Sequence, residues 1–182
     1  MREIEIKAKV SDKASLLNAI KNAGITLSDP ITQHDVVYGQ ASVANNAPGS
    51  IWLRIRTENN SKTIFTLKQQ HTGGLDSIEH ETAISNATEL DAIIKLLGFT
   101  LYSDLIKTRQ KASYNGIEIC VDDVDALGTF IEAEKLTDAD ADGAAVASDL
   151  WIELKKLGVE KAEEVFEGYD VLMNRKLAQG QR

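Results

Sequence analysis

The sequence is poor in cysteine, proline and aromatic residues, with one cysteine, two prolines and 5% aromatics. A single cysteine, Cys120, excludes a disulfide framework and is typical of a reducing cytoplasmic compartment. No uninterrupted apolar run approaches the roughly 20 residues that a membrane-spanning helix requires. The charged, strand-like N-terminus also lacks the apolar segment of a signal peptide. We therefore expect a cytoplasmic location and no membrane partner.

Positive charge is scarce as well. The chain has 28 acidic and 20 basic residues and a formal net charge of -8, which argues against nucleic acids as partners. Its 182 residues, 43% of them hydrophobic, are enough to bury a core without disulfides or a structural metal. No linker rich in proline, glycine or serine divides the chain. We predict one domain over residues 1–178, followed by a short tail at 179–182.

The first strand alternates between two kinds of side chain. Glu3, Glu5 and Lys7 fall on one face, and Ile4 and Ile6 on the other. A period of two is typical of a β-strand whose faces meet different surroundings. Taken alone, the pattern is explained by a half-buried surface strand. However, two glutamates about 7 Å apart on one face repel each other unless a cation lies between them.

Similar strands recur along the chain, and amphipathic segments lie between some of them. Strands are predicted at 2–10, 35–38, 51–57, 63–68, 78–84, 105–114, 117–121 and 129–135, and loops at 41–50 and 71–74. Helices are predicted from the Ser11-Asp12 cap to Gly24, over 86–97, before Gly158 and over 161–177, with a break at Gly168 as an alternative.

The charged residues of these strands come mostly as pairs of one sign, two positions apart. The pairs are Glu3/Glu5, Arg54/Arg56, Glu79/Glu81, Lys107/Arg109 and Glu132/Glu134. Each basic pair alone could belong to a solvated edge strand, but a surface built for solubility would mix the signs. Carboxylates bind hard divalent cations, while Arg and Lys bind phosphate oxygens. The repetition favours a barrel with the charged faces inward and helices covering the apolar outer faces.

The stretch Glu3-Ile4-Glu5-Ile6-Lys7 resembles the ExExK opening of the CYTH domain, the family of class IV adenylyl cyclases, thiamine triphosphatases and other triphosphate tunnel metalloenzymes. The resemblance covers nearly the whole chain in the family's order. The matching motifs are LRxR at 53–56, the lysine strand at 66–68, ExE at 79–81, KxR at 107–109, and the closing Asp122 with LGxFxExE at 127–134.

This resemblance implies an α+β fold, an eight-stranded antiparallel β-barrel whose charged lumen binds a triphosphate with Mg²⁺ or Mn²⁺. Carried over by position, the metal ligands would be Glu3, Glu5, Glu132 and Glu134, supported by Asp122 or Glu81. The phosphate-binding residues would be Lys7, Arg54, Arg56, Lys68, Lys107 and Arg109. Of these two sets, Glu3, Glu5, Lys7, Lys107 and Arg109 are the candidate catalytic residues.

The resemblance also implies an activity, for which three alternatives stay open. The Leu97-Gly98-Phe99 helix end and the closing LGxF segment favour a class IV adenylyl cyclase that converts ATP to cyclic AMP and pyrophosphate. Gln69 after Lys68, and Ser77 in place of an arginine before ExE, depart from the cyclase pattern. A thiamine or inorganic triphosphatase is the first alternative, and a non-catalytic module that binds nucleotides or polyphosphate is the second. Cyclases of this branch are commonly dimers, so a homodimer is compatible with the resemblance.

Overall fold

The computed structural model describes residues 2–40, 47–73 and 75–180, in which eight strands form a closed antiparallel barrel. The strands are β1 (Arg2–Lys9), β2 (Ile31–Gly39), β3 (Ile51–Glu58), β4 (Lys62–Gly73), β5 (Asp76–Ile84), β6 (Thr100–Tyr114), β7 (Ile117–Val124) and β8 (Gly128–Thr137). Their order around the barrel is β1-β5-β4-β3-β2-β6-β7-β8. Parts of the two predicted loops, residues 41–46 of the first and Gly74 of the second, lie outside the described residues.

Four α-helices and one 3₁₀ turn accompany the described strands. They are α1 (Lys13–Asn22), α2 (Ala87–Leu96), α3 (Gly143–Lys156) and α4 (Tyr169–Gly180), with the 3₁₀ turn at Lys161–Glu163. The side chains of Asp12, Asn86 and Asp142 accept hydrogen bonds from the first backbone N–H groups of α1, α2 and α3. The α+β fold class and the eight-stranded barrel are confirmed. No helix within the described ranges is long and apolar enough to cross a membrane.

Helices α1, α2 and α3 cover the outer face of the barrel, as predicted, whereas α4 packs on residues that face the lumen. Apolar residues of α1 and α3, such as Ile20 and Leu154, pack on Ile4, Ile6 and their neighbours in one large cluster. A second cluster joins Ile94 of α2 to β2 and β3, and a third joins Met173 of α4 to β6, β7 and β8. Because the strand residues of the first two clusters point outward, the charged residues between them point into the lumen. The strand members of the third cluster, Leu105, Val124 and Phe130, alternate in phase with Lys107, Asp122 and Glu132 and therefore face the lumen.

Two predicted segments are wrong in part. Residues 71–73 are not a loop but the end of β4, which pairs with β5 as far as Gly73 and Asp76 across a register shift. Residues 161–177 are not one helix, and the alternative break at Gly168 is correct. Instead, Glu164 bridges to Ala8, and the Val165 N–H donates to the Lys7 carbonyl at 2.8 Å. These bonds to β1 hold the backbone extended, so it cannot bond within a helix.

Candidate active site in the barrel lumen

The lumen is a single cavity of about 540 Å³. Eleven of the twelve predicted site residues line it. The twelfth, Asp122, is buried against the lining residues Lys107 and Arg109. The lining members are Glu3, Glu5, Lys7, Arg54, Arg56, Lys68, Glu81, Lys107, Arg109, Glu132 and Glu134. Residues that are distant in sequence therefore come together in one enclosed, charged space.

Three of the predicted metal ligands form a carboxylate trio: Glu3 and Glu5 of β1, and Glu134 of β8. One oxygen from each lies within 4.8 Å of the others, and Glu5 is the register partner of Glu134. Burial and neighbouring carboxylates raise the pKa of Glu3 to about 7 and that of Glu134 to about 9. Burial and Glu132 likewise raise the pKa of Glu5. Such a trio gains from a bound divalent cation, which would offset the repulsion between its members.

The other three predicted metal ligands contact basic side chains. Glu132 bonds Arg109 and lies 3.1 Å from Lys7. Asp122 is fully buried, accepts from Lys107 at 3.0 Å, and forms a two-pronged pair with Arg109.

Glu81 accepts from Arg54 at 3.2 Å and from Thr66 at 2.8 Å.

Burial alone would raise the pKa of Glu132 and Asp122, but the adjacent Lys and Arg outweigh it and lower both. The lumen carboxylates thus divide by the direction of their pKa shift: the pKa values of the trio are raised, although Glu5 lies 3.1 Å from Lys7, whereas those of Glu132 and Asp122 are lowered.

The remaining basic residues are also held by carboxylates. Arg56 donates two hydrogen bonds to Asp35, at 2.7 and 2.6 Å, and Lys68 lies 2.8 Å from Glu79. Burial and the adjacent Arg109 lower the pKa of Lys107 to about 8. These pairs fix the cations in position before any ligand enters, which is the preorganisation that phosphate binding requires.

Several lumen residues were not predicted. Glu79 belongs to the predicted Glu79/Glu81 pair, so only its role in the site was not predicted, and Asp35 begins a predicted strand without a second charge to mark its face. Trp52 could have been found from the alternation, because it lies two residues before Arg54 on β3. Tyr169 has no such signal, since it opens α4 rather than lying on a strand. All four line the cavity.

Trp52 belongs to an apolar part of the wall, which also includes Val37 and Leu105. Its ring meets Tyr102 edge-on, with the ring centres 4.7 Å apart. The indole lies against Gly39, where an added Cβ would be only 2.6 Å from the ring. The lumen therefore combines a charged region with a flat apolar surface.

Tyr38 and Cys120 are buried residues that do not line the cavity. The Tyr38 ring is buried under α2, and its hydroxyl donates to Asp91 at 2.6 Å, so it is a packing residue. Cys120 is fully buried, and burial raises the pKa of its thiol, which disfavours the nucleophilic thiolate.

A closed barrel with a carboxylate trio beside clustered Lys and Arg side chains defines a protein suited to a polyanion bound with a divalent cation. The chain belongs to the CYTH domain family, whose model matches residues 1–169. The family's tunnel enzymes use divalent metal ions and bind triphosphate substrates. The predicted family is therefore confirmed.

Three known proteins illustrate the similarity. A Methanocaldococcus jannaschii protein described as a candidate adenylate cyclase is 27% identical over 171 residues, covering 93% of this chain and 97% of the relative. A conserved hypothetical protein from Pyrococcus furiosus has a solved structure with a TM-score of 0.80 and 24% identity, covering 93% and 99% of the two chains. A candidate adenylyl cyclase from Hippeastrum, described as having a dominant triphosphatase activity, has a TM-score of 0.58 and 16% identity, covering 92% and 90%.

Proposed function

We propose that this protein is a divalent-metal-dependent adenylyl cyclase, which converts ATP to cyclic AMP and pyrophosphate in the barrel lumen. The observation that carries this proposal is the carboxylate trio of Glu3, Glu5 and Glu134 in the same cavity as seven Lys and Arg side chains. We assign the Mg²⁺ or Mn²⁺ to the trio, with Glu132 adjoining. When bound, the ion would supply Lewis-acid charge to the phosphate oxygens and the attacking hydroxyl.

We assign the triphosphate to Lys7, Arg54, Arg56, Lys68, Lys107 and Arg109, which line the same cavity. In the cyclase reaction the ribose 3′-hydroxyl attacks the α-phosphate and loses its proton to water, the bond from the α-phosphorus to the bridging oxygen breaks, and negative charge grows on the departing pyrophosphate. Fixed Lys and Arg side chains in an enclosed site stabilise that charge strongly, because little reorganisation is needed. No covalent intermediate with the protein is required.

The apolar part of the wall favours an organic triphosphate over an inorganic one. Trp52, Val37 and Leu105 offer a surface on which a planar base can pack, a few residues along the strands from Arg54 and Lys107. The indole Nε1 of Trp52 is buried and has no hydrogen-bond partner among the described residues. It can donate to an acceptor on the ligand.

A triphosphatase is the second candidate, and the Hippeastrum neighbour supports it because that protein is described as mainly a triphosphatase. In this reaction a metal-positioned water would attack the terminal phosphate in the same lumen. Thiamine triphosphate and inorganic triphosphate are the substrates to compare. A module that binds nucleotides or polyphosphate without turnover is the non-enzymatic alternative.

Product analysis separates these candidates. The full chain is incubated with ATP, thiamine triphosphate or inorganic triphosphate, each with Mn²⁺ and with Mg²⁺, and the products are resolved by chromatography. We expect cyclic AMP and pyrophosphate from ATP. Orthophosphate without cyclic AMP would overturn the cyclase proposal in favour of a triphosphatase. Calorimetric binding without any product would favour the non-catalytic module.

Metal binding is expected to release protons and to strengthen as the pH rises from about 6 to 9. The metal-free pKa values of Glu3, about 7, and Glu134, about 9, mean that protons compete with the cation in this range. Calorimetry with Mn²⁺ in two buffers of different ionisation enthalpy, at pH 6 and pH 8, measures both effects. An affinity that is independent of pH would contradict a metal site at the trio.

A further inference from the structure

Tyr169 places an aromatic ring between two lysines that come from different parts of the barrel wall. The Nζ of Lys7, on β1, lies 4.2 Å from the ring centre, and the Nζ of Lys107, on β6, lies 4.8 Å from it. The tyrosine is 7% exposed, and each lysine is 2% exposed. One ring therefore contacts both ammonium groups inside the cavity.

The surrounding structure holds this ring in place. Phe130 of β8 meets it edge-on, with ring centres 5.0 Å apart at an angle of 64°. The preceding segment is tied to β1 by the bond from Val165 to Lys7, and α4 is tied to β6 by Asn174, which donates to the Tyr102 carbonyl at 2.8 Å. Phe130 therefore contacts the ring itself, and the two hydrogen bonds anchor the chain before and after Tyr169.

The two lysines differ in their other partners. Lys7 Nζ lies 3.1 Å from both Glu5 and Glu132, whereas Lys107 Nζ donates to Asp122 at 3.0 Å. A lysine has a long flexible stem and an ammonium that loses strong hydration on burial. The negative face of an aromatic ring replaces part of that hydration without occupying the ammonium with another carboxylate. Lys107, which donates to one carboxylate, keeps donors for a phosphate oxygen, whereas Lys7 also donates to the Glu167 carbonyl at 3.4 Å and must exchange one of its acceptors for phosphate.

We propose that Tyr169 is a positioning residue whose ring holds the ammonium groups of Lys7 and Lys107 in place for binding phosphate. The proposal rests on the proposed function only in that the two lysines bind a triphosphate. It differs from a purely packing role, in which Tyr169 would fill the space beside Phe130 and Met173. A packing role predicts that changes in affinity follow changes in stability.

The test combines Tyr169→Phe, Tyr169→Leu, Lys107→Met and the double variant Y169L/K107M. Calorimetry measures the binding of inorganic triphosphate with Mg²⁺. We expect Tyr169→Phe to bind within about twofold of the wild type, because it keeps the ring. Tyr169→Leu should bind about tenfold more weakly. If the ring acts through Lys107, the two substitutions remove the same interaction. The fold loss of affinity in the double variant should then be smaller than the product of the fold losses in the two single variants.

Met173→Ala is the control for folding, because Met173 packs in the same cluster as Tyr169 but lies on the body of α4. It should lower the melting temperature while leaving triphosphate affinity within about twofold. Wild-type affinity in Tyr169→Leu, or losses that simply multiply in the double variant, would overturn the proposal. Equal losses in Tyr169→Phe and Tyr169→Leu would assign the effect to the hydroxyl and would also overturn it.

A measurement without ligand separates this proposal from the proposed function. Protons on the Cε of Lys7 and Lys107 should show upfield NMR shifts from the aromatic ring, which disappear in Tyr169→Leu and persist in Tyr169→Phe. If the shifts are present but the wild type binds no triphosphate, the proposed function fails while the arrangement of the lysines stands. If the shifts are absent from the wild type, the positioning role of Tyr169 is refuted.

Discussion

Replacing Glu134 with glutamine should lower Mn²⁺ affinity by at least about a hundredfold and turnover with it, while making the metal-free protein more stable. The glutamine keeps the shape of the side chain but removes a carboxyl group whose charged form is disfavoured by burial and by Glu3 and Glu5. Loss of a ligand weakens the metal site, and loss of the cost of keeping a buried carboxyl protonated favours the fold. Opposite changes in function and stability distinguish a metal ligand from a structural residue.

The gain in stability should depend on pH in a defined direction. A carboxyl group whose pKa rises on folding, as Glu134 does to about 9 from its ordinary value near 4.5, lowers the free energy of unfolding progressively as the pH rises between those values. The advantage of Glu134→Gln should therefore be small at pH 4 and large at pH 8. Urea unfolding without metal at both pH values measures it.

Glu81→Gln is the matched control for this prediction. Glu81 also lines the lumen, but it contacts Arg54 and Thr66 rather than the trio. We expect Mn²⁺ affinity to change by less than about threefold, because the partners of Glu81 are Arg54 and Thr66 and not a member of the trio. A loss as large as that of Glu134→Gln would extend the metal site to β5 and contradict its restriction to β1 and β8.

Arg109→Met should have the largest effect on stability among the lumen variants, lowering the free energy of unfolding by about 3–5 kcal/mol. Arg109 is buried and is bonded to both Asp122 and Glu132, so its removal leaves two buried carboxylates with fewer cationic partners. Methionine retains much of the volume, which limits the loss from packing. Urea unfolding measures the change, with Mg²⁺ absent.

Arg54→Met provides the contrast, because Arg54 pairs with a half-exposed carboxylate, that of Glu81. Exposed ion pairs contribute about 1 kcal/mol or less, so stability should change little. Triphosphate affinity should nevertheless fall about tenfold, since an ionic hydrogen bond to phosphate is lost. If Arg54→Met is as destabilising as Arg109→Met, the division of the lumen into exposed and buried ion pairs is wrong.

The sequence was sufficient to predict which face of each strand carries charge. The direction of a strand side chain is decided by its position, so Glu3/Glu5 and Arg54/Arg56 could be assigned to shared faces by counting. The pairing of particular charges could not be predicted this way. The bond between Arg56 and Asp35 depends on the register between β2 and β3, which is set by the closed barrel as a whole.

The C-terminal segment shows where local pattern is overridden. Residues 161–177 have apolar spacing compatible with a helix, but Glu164 and Val165 bond to β1 instead. That contact spans more than 150 residues of sequence, so no local window contains it. Tyr169 enters the lumen as a result of this long-range contact, and its role could not be found before the fold was known.

Closure of the barrel also limits how the chain can change in length. A single residue inserted within β1 would move Ile4 and Ile6 into the lumen and turn Glu5 and Lys7 towards the outer core. A strand bonded on both sides has no free edge at which such a slip could be absorbed. The irregular pairings between Val37 and Tyr38 and between Gln70 and Gly73 already accommodate local shifts in register. Insertions and deletions are therefore compatible with the site at those points and in the turns between strands.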